Sequence, residues 1–232
     1  MMKLKTSFCS LAMLAAMIST SQAQSVDVSV IGTIKPAACT PVLTDAGVVD
    51  YGNISANTLS TTGYTVQPAK NIAMTITCTA PTKIALAAKS MRLNTTPGVT
   101  TESAVGVGTS TAGVVYGSHV VGLGSTTAGE KIGGYSLLMK DIKLEGSSAD
   151  LILSDTDGAS WSAGGAQNSM YAVLNPTPRQ MSFATTGGVT PVEFTTMTGN
   201  ISVQAFINNK TDLNIDHAIK LDGQSSIELI YL

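Results

Sequence analysis

The sequence predicts an all-β sandwich, and three observations carry that prediction. Apolar residues recur at every second position in run after run, the period of a strand with one face buried. Thr and Ser fill most of the intervening positions, which suits a pleated surface. Turn signals separate the runs: Ala80-Pro81, Thr96-Pro97-Gly98, Asp157-Gly158, Gly164-Gly165, Gly187-Gly188 and Asp222-Gly223. Outside the leader no segment carries a helical stripe.

In chain order, Met1 to Ala23 reads as a secretory signal peptide. Lys3 and Lys5 supply its positive start. Phe8 to Ile18 is apolar but falls short of the about 20 residues that span a bilayer. Ser21-Gln22-Ala23 places small residues at −3 and −1, so cleavage is expected before Gln24. Cys39 and Cys78 are the cysteines that remain, and an even count in an exported chain reads as a disulfide. Closing that loop should stabilise the fold by roughly 3–4 kcal/mol.

The strand-like runs follow. Val26, Val28 and Val30 alternate with Ser25, Asp27 and Ser29. Ile72, Met74, Ile76 and Cys78 share one face, as do Ile84, Leu86 and Ala88. Tyr135, Leu137 and Met139 follow the Gly133-Gly134 pair. Ile201, Val203, Ala205 and Ile207 repeat the pattern, and so do Ile227, Leu229 and Tyr231. Residues from about Pro97 to Gly129 are rich in Gly, Ser and Thr with weak alternation. A long insertion around residues 97–170 of a 32–232 domain is the expectation.

Composition narrows the function. Charged residues make up 12% of the chain, about half the roughly 25% of an average soluble domain. The net charge is −2 and 44% of residues are hydrophobic, which excludes a disordered charged tail. No basic surplus exists to neutralise phosphates, so a nucleic-acid partner is not expected. No apolar run reaches the about 20 residues of a membrane span.

Catalytic signatures are incomplete. Gly158-Ala159-Ser160-Trp161-Ser162 lacks the closing Gly of a nucleophile elbow. Gly122-Leu123-Gly124 lacks the third Gly of a dinucleotide fingerprint, because position 127 is Thr. His119 and His217 have no carboxylate-rich metal spacing around them. Asp155-Thr156-Asp157-Gly158 is similar to the middle of a calcium loop, but Leu153 and Gly164 stand where acids are needed; a hairpin turn fits better. Neither an enzyme, a cofactor nor a metal is expected. Trp161 is a candidate sugar contact, with a loop anchor over the core as the favoured reading.

The two ends carry the stronger signal. Gly32-Thr33-Ile34-Lys35-Pro36-Ala37-Ala38-Cys39 resembles the entry to the first strand of chaperone–usher pilus subunits, and Cys78 fits the place of their second Cys. The alternating run ending at Tyr231 resembles their chaperone-recognition strand. Taken whole, the chain resembles an uncharacterised Gram-negative family of secreted fimbrial-type proteins, sometimes labelled beta-fimbriae. Val49-Asp50-Tyr51-Gly52, Cys78-Thr79-Ala80-Pro81 and Glu130-Lys131-Ile132-Gly133-Gly134-Tyr135 carry that likeness.

The resemblance implies an immunoglobulin-like, pilin-type sandwich lacking its final strand. It implies a groove edged by the strand of Ile227, Leu229 and Tyr231, filled first by a periplasmic chaperone and then by a neighbouring fimbrial subunit. Residues 24–31 would be the donor extension, with Val26, Val28 and Val30 as the inserted side chains. An outer-membrane usher and a surface location, reached through the periplasm, belong to the same expectation. The alternative is a tip adhesin or secreted sandwich module that binds a host glycan through Trp161 and nearby loops.

Overall fold

A computed structural model describes residues 26–33, 37–108, 119–165, 169–172 and 178–232. The expected signal peptide lies outside the described residues. The described residues fall into two units, 26–33 and those from residue 37 on, each taken by itself. Residues 26–33 form no strand. Val26, Val28, Val30 and Ile31 are 86–93% exposed, so the alternating run expected there forms no strand over its described residues.

The larger unit is all-β, with only short 3-10 turns besides. Its first four strands are β1 (Cys39–Leu43), β2 (Thr65–Val66), β3 (Lys70–Thr82) and β4 (Ile84–Ser90). Next come β5 (Val107–Gly108), β6 (His119–Gly122), β7 (Gly133–Leu144) and β8 (Ser147–Ser154). The last four are β9 (Ser162–Ala163), β10 (Gln180–Thr185), β11 (Phe194–Ile207) and β12 (Ser225–Tyr231).

The main path of pairing runs β1-β3-β11-β7-β8-β10-β4-β12, and every pairing is antiparallel. That path folds on itself into two layers. One holds β1, β3, β11 and β7; the other holds β8, β10, β4 and β12. They connect through the β7–β8 hairpin, which pairs at Lys143↔Ser148 and Leu144↔Ser147. Glu145 and Gly146, at φ 49° and 80°, make its two-residue turn, the left-handed pair that matches strand twist. The chain also changes layer between β3 and β4, at Lys83.

The core between the layers is built as the alternation requires. Met74 and Ile76 on β3 and Met197 and Ile201 on β11 meet Ile84 and Leu86 on β4 and Met181 and Phe183 on β10. Phe183 and Phe194 meet edge to face, with ring centroids 5.6 Å apart. The Cys39–Cys78 disulfide forms between directly opposed residues of β1 and β3.

Two features were not legible as alternation. Every residue of β10 from Gln180 to Ala184 is buried, and so is most of β4. Strands covered on both faces lose the period-two signature. Residues 133–154, inside the stretch expected to be an insertion, form β7 and β8 of the two layers. β6, before Gly133, and β9, after Ser154, join the same sheets by pairing with β7 and β8. The buried run Gly133–Met139 and the mostly buried Leu151–Ser154 explain why Gly and Ser there do not mark loops.

Candidate functional site: an open seam between two edge strands

β1 and β12 are the two ends of the pairing path, and among the described residues no strand lies between them. One edge of β12 pairs with β4 from Ser225↔Ser90 to Tyr231↔Ile84. Its other edge carries no ladder among the described residues, and an unpaired edge is a template for another strand. Beneath the gap is a cavity of about 180 Å³. Ile72, Leu137, Ile201 and Val203 form its floor, Leu43 stands at the β1 wall, and Ser225 and Ile227 stand at the β12 wall. Ile227 and Leu229 are only half-buried against the core, and Tyr231 is 51% exposed. The seam is therefore an apolar trough whose floor is itself buried, with Val49, Tyr51 and Leu221 from the flanking connections among its lining.

Both ends of the seam are defined by polar contacts. At one end the Cys39 amide donates to the Tyr231 hydroxyl at 2.8 Å, bridging the two edges. At the other, the hydroxyls of Tyr135 and Tyr171 both meet Ser225 Oγ. Burial pushes both phenols above the usual tyrosine range, so they stay protonated as hydrogen-bonding groups. Arg92 locks the approach to β12 from outside. Its Nε and Nη2 donate to Asp222 Oδ2 and Oδ1 at 2.8 and 2.9 Å, and this pairing holds the Asp222 carboxyl below its usual range.

The motifs singled out in the sequence prove to shape this region. Tyr51 donates to the Val203 carbonyl at 3.0 Å and accepts from the Ala205 amide at 3.2 Å. It thereby serves β11 where β3 has ended at Lys70, and satisfies backbone groups that would otherwise be stranded. Asp50 Oδ1 accepts from the Gly52 amide at 2.7 Å, and Gly52 takes φ 65°. Lys70 Nζ donates to the Asp50 carbonyl at 2.6 Å and lies 5.4 Å from the Tyr51 ring centroid. Val49-Asp50-Tyr51-Gly52 is thus a clamped turn that presents Val49 and Tyr51 to the trough. In Cys78-Thr79-Ala80-Pro81, Thr79 Oγ1 accepts from the Ala38 amide at 3.0 Å and steadies the entry to β1. Gly133 and Gly134 are required by crowding. A Cβ on Gly133 would sit 2.0 Å from the Phe206 carbonyl oxygen, and one on Gly134 would sit 2.7 Å from the Phe206 ring.

Other sequence candidates fall elsewhere. Trp161 is half-buried between β8 and β9, beside the Asp157-Gly158 turn. That turn has φ 57° at Asp157 and 81° at Gly158. Asp155 pairs with Arg179 at 2.9 Å and Asp157 accepts from Gln180 at 2.7 Å, so both carboxylates are engaged by protein groups. Among the described residues no three His, Cys, Asp or Glu gather in a metal-binding group. No helix of the described residues is long and apolar enough to cross a membrane. The trough's far corner, Leu123 and Leu221, escaped the sequence reading because both lie in connections and share no run with the strands they meet.

Fold and site together define a cross-linked β-sandwich-like protein with an apolar seam between two edge strands. The chain belongs to the family described as proteins of unknown function, DUF1120, whose model matches residues 28–136. It is 33% identical over 228 residues to protein GltF of Escherichia coli (strain K12), covering 89% of this chain and 88% of that protein. It is 31% identical over 225 residues to the uncharacterized protein YhcF of the same organism, covering 93% and 94%.

Proposed function

We propose that this protein is an exported, non-catalytic subunit of a surface fimbria, assembled by the chaperone–usher route. Its body is then an immunoglobulin-like sandwich lacking a final strand. The observation that carries this reading is the seam, with an apolar floor, two edge strands and no strand between them. A periplasmic chaperone strand fills the seam first, and residues 24–31 of a neighbouring copy replace it. β-Strand addition of this kind draws affinity from the backbone ladder and specificity from alternate side chains.

Two features of the chain support the choice of occupant. Val26, Val28, Val30 and Ile31 are exposed and belong to no strand. The seven residues of β12 extend about 23 Å at roughly 3.3 Å per residue, and residues 24–31 extend about 26 Å. Each Val buried in the trough contributes about 1.5–3 kcal/mol. A head-to-tail contact that does not close generates a fibre.

Deleting residues 24–31 should leave a subunit that folds and co-purifies with its chaperone but forms no fibres under the electron microscope. Fibres from the deleted chain would sink the mechanism. A protein that acted only as a secreted binding module would instead purify alone as a durable monomer, with or without those residues.

A further inference from the structure

A second cleft, larger than the seam cavity, lies away from the seam, and the alternation of β11 puts it there. Val203, Ala205 and Ile207 belong to the main core, whereas Phe206 points to the opposite face. Val107 and Val120 cover Phe206 there, and the Tyr64 ring packs against it with centroids 4.8 Å apart. Beside this small second core opens a cleft of about 450 Å³, lined by Thr62, Tyr64, Gly98, Lys131, Asn209 and Asp212 among others. That size falls within the roughly 300–1,000 Å³ of small-molecule sites.

We propose that this cleft binds a neutral saccharide through Tyr64, Lys131 and Asp212. Each of the three is held in place and has hydrogen-bonding capacity left over. Lys131 Nζ donates to the Thr96 and Val99 carbonyls at 3.1 and 2.5 Å. An ammonium has three donors, so one remains, and no carboxylate of the described residues pairs with it. Asp212 Oδ2 accepts from Asn209 Nδ2 at 2.7 Å; its Oδ1 has no partner among the described residues. The Tyr64 hydroxyl likewise lacks one. It lies over Gly98, where a Cβ would approach it to 3.0 Å.

The pattern of charge selects the ligand class. A lone anion would face Asp212 and a lone cation would face Lys131. Sugar hydroxyls both donate and accept, so a ring can answer the ammonium, the carboxylate and the phenol together. Burial and the Asp212 carboxylate push the Tyr64 phenol up, so its proton stays available to donate. The aromatic ring offers an apolar wall, and side chains already fixed by protein contacts pay little ordering entropy on binding. Because the cleft lies on the other face of β11 from the seam floor, it stays open when the seam is filled.

The test is saturation-transfer NMR with chemical-shift titration of the oxidised protein. Glucose, galactose, mannose and lactose serve as neutral probes, with glycine and inorganic phosphate as charged ones. At least one neutral sugar should bind. Tyr64→Phe and Asp212→Asn should each weaken that binding roughly fivefold or more with the melting temperature retained. Ile227→Glu, in the seam, should leave it within about twofold. No neutral sugar binding, binding of glycine or phosphate alone, or sugar binding indifferent to both cleft substitutions would overturn the proposal. None of those results bears on assembly, which fibre formation reads separately.

Discussion

Glu145 shows how much one exposed residue can organise. Its Oε1 accepts from the Thr195 amide at 2.6 Å, the Thr195 hydroxyl at 2.7 Å and the Thr196 amide at 2.9 Å. Those donors sit where the β3–β11 register shifts between Phe194 and Thr196, so the carboxylate satisfies amides that the irregular ladder leaves out. The same hydrogen bonds, the Thr195 hydroxyl first, hold its carboxyl below the usual range. A carboxylate depressed in the folded state contributes stability above its unfolded pKa and loses it as pH falls through its folded pKa. Glu145→Ala should therefore lower the melting temperature at neutral pH. The gap to the parent should narrow as pH drops below about 4.3. A gap that stays constant from pH 7 to pH 3 would mean the charge plays no part. Nothing in the sequence flagged this residue, because its partners lie about fifty positions away and only the pairing of β7 with β11 brings them near.

At the scale of elements, β1 and β3 illustrate what was readable and what was not. The face of Ile72, Met74, Ile76 and Cys78 followed from alternation alone, and all four are buried. β1 did not follow from it, since Cys39–Leu43 exposes three of its five residues and is held by pairing and by the cross-link. The disulfide spans a sequence separation of 39, and removing it should cost roughly 3–4 kcal/mol. Urea unfolding of the oxidised chain against a Cys39→Ser/Cys78→Ser double variant measures that difference. A cost below about 1 kcal/mol would show that β1 stays docked through its ladder alone. The short strands β5, β6 and β9 were invisible for another reason. Two to four residues give too few repeats for any period to emerge.

For the whole molecule, the sequence carried the fold class because one face of nearly every long strand is buried. It carried the seam only through the half-open run of Ile227, Leu229 and Tyr231, and the outer cleft not at all. Tyr64, Lys131 and Asp212 come together from three distant connections, and no local pattern announces such a meeting. The seam makes a thermodynamic prediction for the folded body of the protein. A ligand that binds the folded state alone raises its apparent stability with concentration. A peptide with the sequence of residues 24–31, added to the chain lacking them, should raise the melting temperature in a saturable way. The same peptide with Asp in place of Val28 should not. Equal shifts from both peptides would rule out side-chain insertion as the source of binding.

The contacts at its two ends give the seam mechanical meaning. The Cys39 amide that meets the Tyr231 hydroxyl belongs to a residue bonded covalently to Cys78 in the core. The gap is thus pinned at both ends, by Cys39 to Tyr231 across the two edges and by Ser225 to Tyr135 and Tyr171 beneath. Admitting a guest means parting hydrogen bonds at one end or the other rather than sliding two free edges apart.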